Sequence, residues 1–538
     1  MRKNFDLMSE DTERTIGKDA QRNNILAAKL VSEIVKTTLG PKGMDKMLVS
    51  PTNEIIVTND GVTILEEMKI EHPAAKMMVE IARTQEKEVG DGTTTSVMIA
   101  GKLLENAEKL LDQKIHPTVI VKGYRMAQEK VHEILKEISF KINSENTDVL
   151  KQIAITAMTG KGAEDEKEKF SEILVEAAKL VEMDNKIDIE DIKIEKVVGD
   201  GIKDTELIKG IIIGKEKISK DMPRVVENAK ILLVDFPIEL KSPEIETKIS
   251  ISSHSELQNF LDEEEKTMKM MVQRIVASGT NAIFCQKGID DFAKYLLSKS
   301  GIYATRRVAK SDMDRISKAT NSKIISNINE IDNSILGEAK SIEEIKRGGE
   351  FMTYIKGCKN PKTVTILIHG GTTHIVDEIK RALVDGLGDI ASSLETGLIV
   401  PGGGAVEMEI AKRLREFGQT LSGRERLAVE EYANALEFIP LTLAENAGLD
   451  PIDILTELRA KHDSGEMNAG LNLFTNKIEN VLNSRILEPS KIKFQAINSA
   501  TDVATMILRI DDIIASKPSK KGNMNDTGNF HDYMGGLS

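Results

Sequence analysis

Apolar residues recur every three or four positions through long tracts at both ends of the chain, the spacing of helices that bury one face. Residues 19–39 carry Ile25, Ala28, Val31, Ile34, Val35 and Leu39 in that register and stop at Gly40-Pro41, a pair that ends helices. Further helices are predicted over 62–68, 73–88, 93–113, 117–138 and 164–182, and again over 405–414, 427–447, 451–461 and 499–510. In the middle the period changes. Residues 54–58 and 187–213 read as strands, and buried-strand runs at 229–237, 282–286, 301–305, 323–325 and 364–369 alternate with helices at 290–298, 311–320 and one running to Leu394. Residues 241–277 read as a helical insertion whose middle, DEEEKTMKMM, places acids before methionines. The pattern predicts a multidomain α and α/β protein, with one helical domain built from both chain ends and the others inserted between them. The stretch from 516 onward is polar and rich in Gly and Asn, and is expected to be disordered.

Composition narrows the function classes. At 538 residues with 40% hydrophobic content the chain can bury several cores, which by length suggests roughly three domains. No run of about 20 apolar residues occurs and MRKNFDLMSEDTERT has no apolar signal region, so a cytoplasmic location without a membrane partner is expected. Two cysteines, Cys285 and Cys358, without a CxxC pair or a cysteine-histidine cluster, argue against a disulfide framework or a zinc site. A net charge of -13, dispersed lysines, 4% aromatics and no Trp give no basis for a nucleic-acid partner.

Candidate chemistry centres on GDGTTT at residues 90–95, between two predicted helices. Its glycines allow close backbone approach, and the N–H groups opening the second helix favour an anion. Asp91 contradicts a bare phosphate cradle but suits a hard cation bridging phosphates, with threonine hydroxyls satisfying further oxygens. A capped loop is the competing reading. The same ambiguity holds for the Gly40-Pro41 corner, the Asn59-Asp60-Gly61 turn, Lys161 in a glycine-flanked turn, Asp385 on a helix, and the glycines of VPGGGA at 400–405. No GxxxxGK[ST] is present, so phosphate binding must use another scaffold.

Taken in order, LGPKGMDKML (39–48), VTNDGVTIL (57–65), EHPAAKMM (71–78), GDGTTT, CQKGIDD (285–291), VPGGGA and QAINSATDVATMILRIDD (495–512) closely resemble a group II chaperonin subunit of the archaeal thermosome type, with the eukaryotic cytosolic chaperonin a close relative. The resemblance spans essentially the whole chain. It implies a chaperonin fold: a helical equatorial ATP-binding domain from residues 1–142 and 397–538, a small intermediate hinge domain from 143–213 and 363–396, and an α/β apical client-binding domain from 214–362 with a built-in lid protrusion at about 241–277. Clients would be met around residues 236–242 and 311–320. It further implies an ATPase that encloses unfolded or partly folded proteins in a double ring of identical or paralogous subunits, using ATP and Mg2+, with K+ as a further candidate ion. Carried onto this sequence, Thr38, Leu39, Gly40 and Pro41 would line the nucleotide, Asp91 would hold Mg2+, and Gly92, Thr93, Thr94 and Thr95 would hold phosphates. Gly402 and Gly403 would lie against ribose and base, Glu488 would accept the ribose hydroxyls, and Lys161 would sense the γ-phosphate. Asp60 and Asp385 would be the catalytic pair that positions and activates water.

Some positions depart from the family. Val384-Asp385-Gly386-Leu387 stands where His-Asp-Ala-Leu is usual, and Gly386 and Gly388 are expected to loosen the helix. Thr396-Gly397, Asn472 and His369 also replace commoner residues. A ring subunit or holdase that binds clients but hydrolyses ATP poorly is the alternative; retention of Asp60, Asp91 and Asp385 together favours the enzyme.

Overall fold

A computed structural model describes residues 12–50, 53, 55–183, 186–199, 201–239, 254–358 and 362–516. Helices from the two ends of the chain interleave in one block: Gly17–Lys36, Pro73–Val89, Thr93–Asp112 and Pro117–Ile138 pack with Ala405–Gln419, Glu425–Leu436, Phe438–Asn446, Pro451–Asp463 and Ser490–Leu508 around a single apolar core. Thr93–Asp112 is its axis, because Val97, Met98, Ile99, Ala100, Leu103, Leu104 and Ala107 are all buried and charged residues form a stripe only from Lys102 onward. Pro73 and Pro117 each open a helix at a position that needs no N–H, and the preceding His72 and His116 side chains accept from Ala74 N and Thr118 N.

The ends are tied together. Thr12–Ile16 pairs antiparallel with Asp512–Ser516, so part of the N-terminal arm is a strand and Ser516, placed in the tail by pattern, closes a ladder. The rest of that tail, from residue 517, lies outside the described residues, as does the 241–253 part of the insertion.

A middle layer has its own core. Thr147–Met158, Lys167–Val181 and Thr373–Thr396 cover a three-stranded sheet in which Val364–Gly370 lies between Ile192–Val198, parallel, and Glu206–Ile208, antiparallel. The outermost part is a seven-stranded mixed sheet. Its order is Tyr303–Thr305, Ala282–Cys285, Val225–Val234, Gly337–Arg347, Glu350–Cys358 and Gly210–Ile213, with Ile324–Ile325 also paired to Val225–Val234. Lys310–Thr320 packs on one face, and His254–Ala277 and Asp291–Lys299 on the other. Met268, Val272 and Ile275 of His254–Ala277 are buried in that second face, so this end of the helical insertion belongs to the sheet's core.

Several elements differ from the pattern reading. The long hairpin Gly337–Arg347/Glu350–Cys358 falls where the pattern assigns no element, because Glu338, Lys340, Glu343, Glu344, Lys346 and Arg347 cover the alternation of its first strand. Its turn, Gly348-Gly349, has both φ angles positive, the geometry of the type I′ two-residue hairpin. The expected single helix 427–447 is two, since Pro440 has no N–H for the Leu436 carbonyl. Residues 147–158, to which the pattern assigns no element, form the helix Thr147–Met158.

Candidate functional site

Loops from distant parts of the chain meet where the helical block joins the middle layer. In the 90–95 turn, Gly90 (φ +81°) ends one helix and Gly92 (φ +79°) opens the next, both left-handed. A Cβ on Gly92 would lie 2.7 Å from Ile492 Cγ2. Buried Gln85 donates to Asp91 O at 2.8 Å and to Ile492 O at 3.3 Å, which fixes the turn against the Ser490–Leu508 helix. No side chain caps Thr93–Asp112, so its first N–H groups, on Thr93, Thr94 and Thr95, form an anion-favouring end at the cleft.

The facing loops interlock. Gly40 (φ +78°) turns the chain against Leu443, and a Cβ on Gly160 (φ +77°) would stand 2.5 Å from Pro41 Cα. Asn59 Nδ2 donates to Gly160 O at 3.0 Å, drawing the Lys161 turn onto the Asn59-Asp60-Gly61 turn. Asp60 caps Gly61–Glu67, accepting from Thr63 N at 2.9 Å and Thr63 Oγ1 at 2.6 Å, while also lining the cleft. The capping role and a place in the site are therefore compatible.

The resulting cleft holds about 320 Å³, a size suited to a small ligand. It is lined by Thr38, Leu39, Gly40, Pro41, Asp60, Asp91, Gly92, Thr93, Thr94, Thr95, Lys161, Gly403 and Glu488, all expected from sequence, together with Asp389, Gly404, Asn472 and Phe474, which were not assigned to the site. Gly402 stands apart from the expectation. Its N–H still bonds Ile486 O in the strand register, and a Cβ there would meet Glu488 Oε1 at 2.6 Å, so Gly402 backs Glu488 while Gly403 and Gly404 face the cleft. Asp385 likewise lies off the cleft wall. It lines an adjoining cavity of about 610 Å³ that shares Asp60 with the cleft.

Lys161 links the two spaces. Its Nζ lies 2.5 Å from Asp385 Oδ2 and 3.7 Å from Asp91 Oδ1. Burial works against its charge, yet Asp385 and Asp91 hold the ammonium above its usual range. Burial, opposed by Lys161 and reinforced by Asp91 and Asp60, pushes the Asp385 carboxyl up to about 7. Burial, then Asp385, Asp60 and Asp91, carries Glu86 to about 8, and burial and Asp91 raise Asp389 well above the carboxylate range. On the far wall Glu488 binds Lys493 at 2.5 Å, and Lys493 also bridges to buried Glu407 at 2.8 Å.

This donor set fits a cation bound with an anionic ligand. Carboxylates outnumber Lys161, and Asp389 Oδ1 is buried without a hydrogen-bond partner. Among the described residues no three His, Cys, Asp or Glu side chains could hold an ion by themselves, so further ligands would have to come from the bound molecule.

A model of the TCP-1/cpn60 chaperonin family matches residues 31–518. The chain belongs to that family. A thermosome subunit of Methanopyrus kandleri is 53% identical over 519 residues, covering 96% of this chain and 95% of its own length. The thermosome subunit alpha of Archaeoglobus fulgidus is 51% identical over 532 residues, covering 98% of each. The open state monomer of a group II chaperonin from Methanococcoides burtonii superposes with a TM-score of 0.60 at 46% identity, covering 78% of this chain and all of that one. The protein is thus a group II chaperonin subunit with a role in protein folding.

In this chaperonin subunit the departures from the family pattern have local explanations. Gly386 and Gly388 are packing positions: a Cβ on Gly386 would meet Leu174 Cδ1 at 2.7 Å, and one on Gly388 would meet Val89 O at 3.1 Å and Gly90 Cα at 3.3 Å. The expected loosening of the helix is replaced by close contact with the 90–95 turn. Asn472 Oδ1 accepts from Phe474 N at 2.9 Å, and its Nδ2 donates to Glu479 at 2.7 Å, which shapes the hairpin Ala469–Asn472/Lys477–Asn480 at the cleft. His369 is buried in the middle sheet, away from the cleft lining.

Proposed function

We propose that this subunit binds and hydrolyses Mg-ATP to drive the folding of unfolded or partly folded proteins in a double-ring chamber of identical or paralogous subunits in the cytoplasm. The observation that carries the reading is Lys161 held between Asp385 and Asp91, at the join between a cleft floored by a helix N-terminus and a cavity that shares Asp60. Mg2+ bound with ATP would neutralise phosphate charge, and K+ is a further candidate ion. Asp91 would ligate the divalent ion, and the N–H groups and hydroxyls of Thr93, Thr94 and Thr95 would orient phosphate oxygens. Gly403, with Gly404, would border the sugar and base, and Glu488 would accept ribose hydroxyls.

For hydrolysis, Asp385 would accept the proton of a water aligned by Asp60. Lys161 would first leave Asp385 for the terminal phosphate, coupling ligand occupancy to freedom of the base. The domain limits 1–142 with 397–538, 143–213 with 363–396, and 214–362 are proposed as equatorial, intermediate and apical units. Apolar cores that fall mainly in corresponding regions support that division, with its edges shared: Ile211 and Ile213 pack in the outer sheet's core, and Ile399 and Leu487 in the middle one. The 241–277 insertion is proposed as the lid. Steady-state ATP hydrolysis and the mass of the purified assembly test the proposal together; a ring that neither binds nor hydrolyses ATP would overturn it.

A further inference from the structure

Asp389 sits one helical turn beyond Asp385 on Thr373–Thr396. It is 2% exposed, yet its Oδ1 has no hydrogen-bond partner, and no hydrogen bond or ion pair engages its side chain elsewhere. An unpartnered buried carboxyl costs stability and calls for a partner absent from the protein chain itself. The residue lines the nucleotide cleft together with Asp91 and Lys161. Lys161 is engaged by Asp385 at 2.5 Å and acts on Asp389 only at longer range, without an ion pair. The helix is held close to the 90–95 turn: Gly388, beside Asp389, approaches Gly90, beside Asp91, so closely that a Cβ on either would lie 3.3 Å from the other's Cα. The tight backbone packing at 388 therefore sets the two carboxylate-bearing residues on adjoining walls.

We propose that Asp389 is a second protein carboxylate for the divalent cation held with Asp91, completing a site whose other ligands are phosphate oxygens and water. Two carboxylates with substrate phosphates are an ordinary Mg2+ set. Among the described residues no three side chains could hold the ion alone, so bound nucleotide should strengthen its binding. The inference rests on the Mg-nucleotide reading of the cleft.

The test uses the full assembled protein, ADP and Mn2+ followed by its electron paramagnetic resonance signal, comparing wild type with Asp389→Asn, Asp389→Leu and Asp91→Asn. The expected result is Mn2+ affinity lowered roughly tenfold or more in both Asp389 variants, a loss that even outer-shell partners of a metal produce. Metal-free ADP affinity should be unchanged, and the metal-free thermal midpoint unchanged or raised, because an unpartnered carboxyl has been removed. Wild-type Mn2+ affinity in Asp389→Asn would overturn the proposal while leaving the Mg-nucleotide reading intact. A metal-free midpoint that falls in both variants would overturn it as well, since the carboxyl would then serve the fold. No ADP-dependent Mn2+ binding by the wild type, with Asp91→Asn indistinguishable from it, would instead defeat the reading on which the inference rests.

Discussion

At the scale of single residues, the site is a competition between burial and charge. Asp385 is pushed up to about 7 mainly by burial, with Lys161 pulling the other way. A general base must be deprotonated, so kcat/KM, which reports the free enzyme, should rise with pH through about 7 and level off above it; its profile from about pH 5 to about pH 9 checks this, and a flat profile counts against Asp385 as the base. Asp385→Ala should keep ATP binding and lower turnover by roughly 10²- to 10⁴-fold. Glu86 offers a stability test. Its folded carboxyl stays protonated up to about 8 against an ordinary 4.5, so the stability linked to that proton is fully present below about 4.5 and is lost as pH rises through 8. Glu86→Gln should therefore flatten the decline of the thermal midpoint across that interval, and an unchanged slope would show that Glu86 titrates normally.

At the scale of elements, glycines decide how near the helices and turns can come. A Gly→Ala change inside a helix normally stabilises it by roughly 0.5–1 kcal/mol. Gly388→Ala should do the reverse, because the added methyl would meet backbone atoms of Val89 and Gly90 at 3.1 and 3.3 Å, and neither can swing aside like a side chain. We expect a loss of about 1–3 kcal/mol in chemical denaturation and weaker nucleotide binding, since the displaced turn carries Asp91. Stabilisation by the alanine would mean that the turn yields freely.

At the scale of the whole molecule, the middle layer couples the helical block to the outer sheet. Lys318 binds Asp191 at 2.6 Å, Lys193 binds Asp312 at 2.9 Å, and Arg315 Nε donates to Glu190 O at 2.7 Å, all between the Lys310–Thr320 helix and the middle layer. The burial of Met268, Val272 and Ile275 shapes the lid experiment. Removing 241–277 entirely would open the sheet's core, whereas removing 241–264 spares those side chains. The shorter deletion should preserve ATP hydrolysis and abolish protection of a captured client from added protease; full protection would refute a lid in this segment.

The sequence by itself determined what local physics controls. Pro117–Ile138 was legible to the residue because a proline opens it and its apolar stripe persists for six turns, and the 90–95 turn was legible because two glycines separate two apolar stripes. Periodicity failed where charged residues covered the alternation of Gly337–Arg347 and where Pro440 divided a helix without breaking its pattern. Only the tertiary structure could place Asp385 beside Lys161, 224 positions away, leave Asp389 buried without a partner, and turn Gly402 away from the cleft that Gly403 faces. Such facts depend on which backbone walls close on one another, and neighbouring residues in the chain carry no record of that.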